Sequence, residues 1–86
     1  MPEICRFYGI TIRMYFADHN PPHFHAYYGE HEAIIDLATL AVLAGSLPGR
    51  ALGMVVEWAA CHQDDLLNLW QRAQAGEKLE KLPPLD

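Results

Sequence analysis

Residues 23 to 37, His-Phe-His-Ala-Tyr-Tyr-Gly-Glu-His-Glu-Ala-Ile-Ile-Asp-Leu, admit very few folds. Two runs of β-prone residues flank Gly29-Glu30, the pattern of a two-residue hairpin with glycine at its first central position. Counting outward pairs Tyr28 with His31, Tyr27 with Glu32, Ala26 with Ala33, His25 with Ile34, Phe24 with Ile35 and His23 with Asp36. Opposed residues share a face and successive residues alternate. One face then carries Phe24, Ala26, Tyr28, Ala33, Ile35 and Leu37, and must be the core. The other carries His23, His25, Tyr27, Glu32 and Asp36, with Ile34 its one apolar member. A slip of one residue would bury both histidines and expose Phe24 and Ile35, so the pattern defines the register.

The neighbouring segments extend this sheet. Ile10 to Phe16 alternates, with Ile10, Ile12, Met14 and Phe16 inward and Thr11, Arg13 and Tyr15 outward. Asn20-Pro21-Pro22 ends that strand. A further short strand is expected near Leu40 to Leu43, after a turn at Ala38-Thr39. From Ser46 the character changes. Ser46 is the expected N-cap and Pro48 lies in the first turn. Leu52, Val55, Val56, Ala59, Leu66, Leu69, Trp70 and Ala73 then recur at helical spacing, and Gly76 marks the stop. Unbroken, a helix over 48–75 would be about 42 Å long, more than such a sheet can cover. Either it breaks near His62-Gln63-Asp64, with Asp64 capping a second segment, or its end packs on a partner. The fold expected is α+β: three or four antiparallel strands with one long C-terminal helix, or two shorter ones, on one face. Residues 1–86 read as one domain.

Composition narrows the function. Hydrophobic residues make up 51% of the chain, enough for a core without disulfides, and Cys5 and Cys61 form no CxxC pair. The first ten residues lack a signal-peptide pattern and no apolar run suits a membrane span, so a cytoplasmic protein without membrane contact is expected. Net charge is −5, and basic residues are outnumbered in both halves. Nucleic-acid binding by the chain alone is therefore not expected.

His19, His23 and His25 sit beside Pro21-Pro22, and three readings of them are open. Imidazoles two apart on a strand can share a divalent cation, with His19, His23 and His25 as ligands; no other cofactor is called for. His23, His25 and Arg13 are the residue types that general acid–base cleavage of a phosphodiester requires, so whether the chain is an enzyme stays open. The third and leading reading is a protein interface over Tyr15, His23, His25, Tyr27, Glu32 and Asp36. In the first two, Asp36 across from His23 orients its ring. Trp58 and Trp70 are twelve apart, which suggests one as a surface anchor for a partner. Apolar helix surface beyond the sheet's reach points to a homo-oligomer.

The motifs PEI-x-RF-x-GI-x-I (2–12), M-Y (14–15), DH-x-PPHFHA-x-YGE (18–30), A-x-ID (33–36) and EWA (57–59) span nearly the whole chain. Together they resemble a large bacterial family of small proteins classed as a domain of unknown function. Cys5 stands where that family's pattern suggests a small polar residue. The resemblance implies a single cytoplasmic domain working with a protein encoded by a neighbouring gene. The arrangement is similar to toxin–antitoxin pairs; the resemblance implies no catalytic residue.

Overall fold

A computed structural model describes residues 3–86. Five antiparallel strands lie in sequence order: β1 (Glu3–Phe7), β2 (Ile10–Arg13), β3 (His23–Tyr28), β4 (His31–Asp36) and β5 (Val42–Gly45). Two helices follow, α1 (Gly49–Cys61) and α2 (Gln63–Gln74). The class is the α+β expected, with five strands in place of the three or four read from the sequence. The β3–β4 register is the one deduced from Gly29-Glu30, from Tyr28↔His31 to His23↔Asp36. Gly29 has φ +58° while Glu30 stays out of the left-handed region, as the deduced turn requires.

The additional strand is β1. Its neighbours Ile4 and Cys5 are both buried because a bulge after Glu3 breaks the two-residue alternation that would have announced it. Tyr8 (φ 48°) and Gly9 (φ 80°) turn it into β2, a pair of positive angles that a tyrosine does not advertise. Strand β2 stops at Arg13, short of the expected Phe16, and Ala17 turns at φ 53°. Phe16, expected inward, is therefore exposed. Strand β5 begins two residues later than expected, since Leu40 closes the preceding turn at φ 61° with its N–H on the Asp36 carbonyl.

The helices cover the Phe24 face. Ala51, Val55, Trp58 and Ala59 form the buried stripe of α1, and the Trp58 ring packs on Phe7 and Phe24. Leu66, Leu69, Trp70 and Ala73 do the same for α2. Both tryptophans are thus core residues, against the reading of one as an anchor. The chain breaks at His62, whose N–H bonds back to the Ala59 carbonyl. Gln63 then reaches across to the Leu37 and Ala38 carbonyls at 3.0 and 3.3 Å. Neither expected cap forms. Pro48 occupies the N-cap of α1 and His62 that of α2, and Ser46 and Asp64 cap nothing; Asp64 and Asp65 lie in the first turn, facing its positive end. With two helices seated on one sheet, the long exposed helix that motivated a homo-oligomer does not exist.

Past Gly76 the tail returns along β1. The Leu82 N–H reaches the Ile4 carbonyl at 2.8 Å, and the Pro83 carbonyl accepts from Trp58 Nε1 (2.8 Å) and the Cys5 thiol (3.6 Å). One sheet edge is closed by the chain's own tail. At the other, every residue of β5 is exposed. Among the described residues no helix is long and apolar enough to cross a membrane.

Candidate functional site

The site grows from the β2–β3 connection. Proline has no N–H to offer, and the carbonyls of Pro21 and Pro22 remain as acceptors. The Pro22 carbonyl takes the Leu37 N–H at 3.0 Å, which holds the start of β3 against the end of β4. The Pro21 carbonyl accepts from His23 Nδ1 at 2.8 Å. Two residues along the same face, His25 Nδ1 donates to the Glu32 carboxylate at 3.1 Å, a diagonal cross-strand neighbour. Carbonyl and carboxylate oxygens only accept, so each ring has an acceptor fixed on its Nδ1 side. Both Nε2 atoms then face the same point.

That point is Asp18. Its Oδ2 lies 2.9 Å from His23 Nε2 and 3.4 Å from His25 Nε2, and the three ligand atoms fall within 4.8 Å of one another. The helix end fixes the carboxylate in place. The Ala17 N–H bonds to the Ala73 carbonyl (3.2 Å) and Gln74 Nε2 to the Asp18 carbonyl (3.0 Å), while Asp18 Oδ1 accepts the His19 N–H (2.8 Å). Burial pushes the Asp18 carboxyl up, but the His19 N–H, the His23 charge and hydrogen bonds from both rings outweigh it, and its pKa is lowered.

A neutral imidazole has a single N–H, and each ring here meets an acceptor oxygen at both nitrogens, so a cation shared by the two Nε2 atoms and Asp18 Oδ2 would complete the arrangement. Two imidazoles whose far nitrogens are held by acceptors, plus one carboxylate, is a donor set suited to divalent transition metals. The same groups, without a metal, form an aspartate–imidazole pair able to move protons.

The structure revises the membership read from the sequence. His23 and His25 stand together as expected, but the third member is Asp18. His19 is exposed and lies outside the ligand set. Asp18 is its sequence neighbour, so the DH dipeptide carried the signal and the histidine drew attention from the carboxylate. Asp36 pairs with His23 in the ladder yet does not orient its ring; its Oδ1 takes the N–H groups of Ala38 (2.7 Å) and Thr39 (2.9 Å). His23 is not on an open face but buried, its ring 5.2 Å from that of Trp70.

The remaining candidates frame the cluster. Tyr15 sets its ring edge-on to His25 at 4.6 Å, and its hydroxyl shares a hydrogen bond with that of Tyr27. Burial first, and that hydrogen bond second, push the Tyr27 hydroxyl well above its ordinary pKa. Arg13 pairs with His25 across the ladder and lays its guanidinium over the Tyr27 ring, 5.6 Å from the centroid. Its Nε is buried without a partner among the described residues.

Neither a curated protein nor a solved structure matches this chain. A family model does, over residues 9–71, which take in β2 to β5, the whole Asp18–His25 cluster and most of both helices. The chain belongs to the family described as domain of unknown function DUF4160.

Proposed function

We propose that this protein is a divalent-metal-binding protein whose centre is Asp18, His23 and His25. One observation carries the reading: three donor atoms from separate positions converge within 4.8 Å while both imidazoles are locked by their opposite nitrogens. Three protein donors leave positions open for a further ligand, one on a four-coordinate ion and three on a six-coordinate one. The test uses untagged protein and exploits Trp70, whose ring centre lies 5.2 Å from that of His23. Cobalt or nickel at the centre quenches its fluorescence, saturating at one ion per chain. Asp18→Asn and His25→Ala should each weaken binding at least about tenfold, in the range seen when a metal's supporting groups are lost. Wild-type protein that takes up no ion, or variants that bind as well as wild type, would refute the centre. Cleavage activity that survives chelation would move the cluster to metal-free acid–base chemistry.

A second reading, that of a regulatory module in the cytoplasm of a bacterium, is favoured by the bare edge of β5. Residues 37–49 carry no charged side chain, so the edge has none of the charges that usually block strand addition. A protein encoded by a neighbouring gene, in a toxin–antitoxin-like pair, takes that edge; in its absence a second copy does. Co-expression with the neighbouring gene should yield a stoichiometric complex. No complex, and a monomer by light scattering at micromolar concentration, would count against it.

A further inference from the structure

We infer that Arg13, with the Tyr15–Tyr27 hydroxyl pair, forms a phosphate-binding subsite beside the metal centre; the inference rests on that centre being occupied. Arg13 is the one arginine of the chain that is not exposed. Arg6 and Arg72 each have a carboxylate, Glu3 at 2.7 Å and Glu80 at 3.8 Å. Arg13, like the exposed Arg50, has none, and its side chain makes no hydrogen bond among the described residues, although the chain carries eleven acidic side chains. A half-buried guanidinium without a counter-charge is costly to hold, and a bound anion removes that cost. The cation–π contact with Tyr27 fixes the plane of the group and leaves its outer N–H donors uncommitted.

Position and charge define the anion. Arg13 stands directly opposite His25 on the same sheet face, beside the residue whose Nε2 faces Asp18. Neutral histidines, Asp18, Glu32 and a divalent ion sum to no charge; Arg13 makes the group cationic on a chain of net charge −5. The Tyr15 and Tyr27 hydroxyls share one hydrogen bond, which leaves one of their two protons for another acceptor, and Glu32 faces the pair from the Tyr27 side. A tetrahedral oxyanion has oxygens enough for the metal, the guanidinium fork and a hydroxyl at once, where a carboxylate has two. The ligand class is therefore a phosphate group.

The probe is inorganic phosphate, followed by phosphorus-31 relaxation in the presence of protein loaded with less than one equivalent of cobalt(II). Wild type should broaden the phosphate signal and acetate should fail to compete. Arg13→Gln should weaken phosphate about tenfold, the worth of one charge-assisted hydrogen bond, with cobalt affinity unchanged. Arg13→Lys, which keeps the charge but not the fork, should fall between and serves if the glutamine variant does not fold. Cobalt uptake with phosphate binding indifferent to Arg13, or with acetate competing equally, overturns the subsite alone. Absence of cobalt uptake by wild type overturns the centre and the subsite with it. A single-stranded RNA arm separates sources: an oligonucleotide that competes at its phosphate concentration identifies a phosphodiester, and one that does not identifies a small phosphate ester.

Discussion

Asp36 stands opposite His23 in the ladder, yet the aspartate that holds its ring is Asp18, in the connection outside the sheet. For Asp36, the N–H groups of Ala38 and Thr39 lie two and three residues away in its own turn. An aspartate closing its own turn needs no chain to be brought from elsewhere. The Thr39 N–H, ahead of the Ala38 N–H, holds the Asp36 carboxyl below the ordinary aspartate value. A folded pKa below the unfolded one stabilises the fold above the unfolded value, and the gain is lost as pH falls through the folded value. Asp36→Asn should therefore be less stable than wild type in urea at about pH 7, and the gap should begin to close at about pH 4 and vanish only once pH has fallen through the lowered folded value. A gap of the same size throughout would deny the carboxylate this role. The face and spacing of His23 and His25 were legible because strand alternation is a local rule. Asp18 was not, because what brings it to them is a helix more than fifty residues away, through Gln74.

Among the elements, the β3–β4 hairpin was readable in full and the outer strands only in part. Strand β5 shows why. Its last residue, Gly45, has φ +74°, and a Cβ built there would collide with the Glu32 carbonyl oxygen. That oxygen is the acceptor for the Ser46 N–H at 3.0 Å, so the close approach is part of the β4–β5 ladder. Gly45→Ala should cost more than the roughly 1–2 kcal/mol of a left-handed alanine alone, because the overlap adds to it. Amide exchange at Ser46 should quicken with it. Gly53→Ala, on α1 with open space around it, should instead be neutral or stabilising by up to about 1 kcal/mol. Equal effects of the two changes in urea melts would mean that β5 is not held this way. The break between the helices was not decidable from periodicity. The apolar stripe passes from Ala59 to Leu66 without a change of phase, and what ends α1 is the reach of Gln63 to the Leu37 carbonyl.

At the scale of the whole molecule, the sheet is asymmetric in what protects it. The tail seals β1 through Leu82 and Pro83, and it buries Cys5, whose thiol burial pushes up in pKa. Among the described residues nothing comparable lies along β5. The face bearing Asp18, His25, Tyr27 and Arg13 is reached from the same side as that bare edge, since Ile34 and Ala44 pair on it. Composition foretold a stable core and an acidic surface; it could not foretell that the one half-buried arginine would lack a carboxylate. Helix α2 has a further part in this arrangement. Trp70 touches His23 at one point, and Ala73 and Gln74 hold the Asp18 loop a turn later. The helix thus works as a spacer with a set phase. One residue added between Trp70 and Ala73 would swing its end by about 100° and carry Asp18 off the histidines while leaving the sheet intact. Among members of the family, insertions and deletions should therefore avoid this short stretch, and collect instead after Gly76.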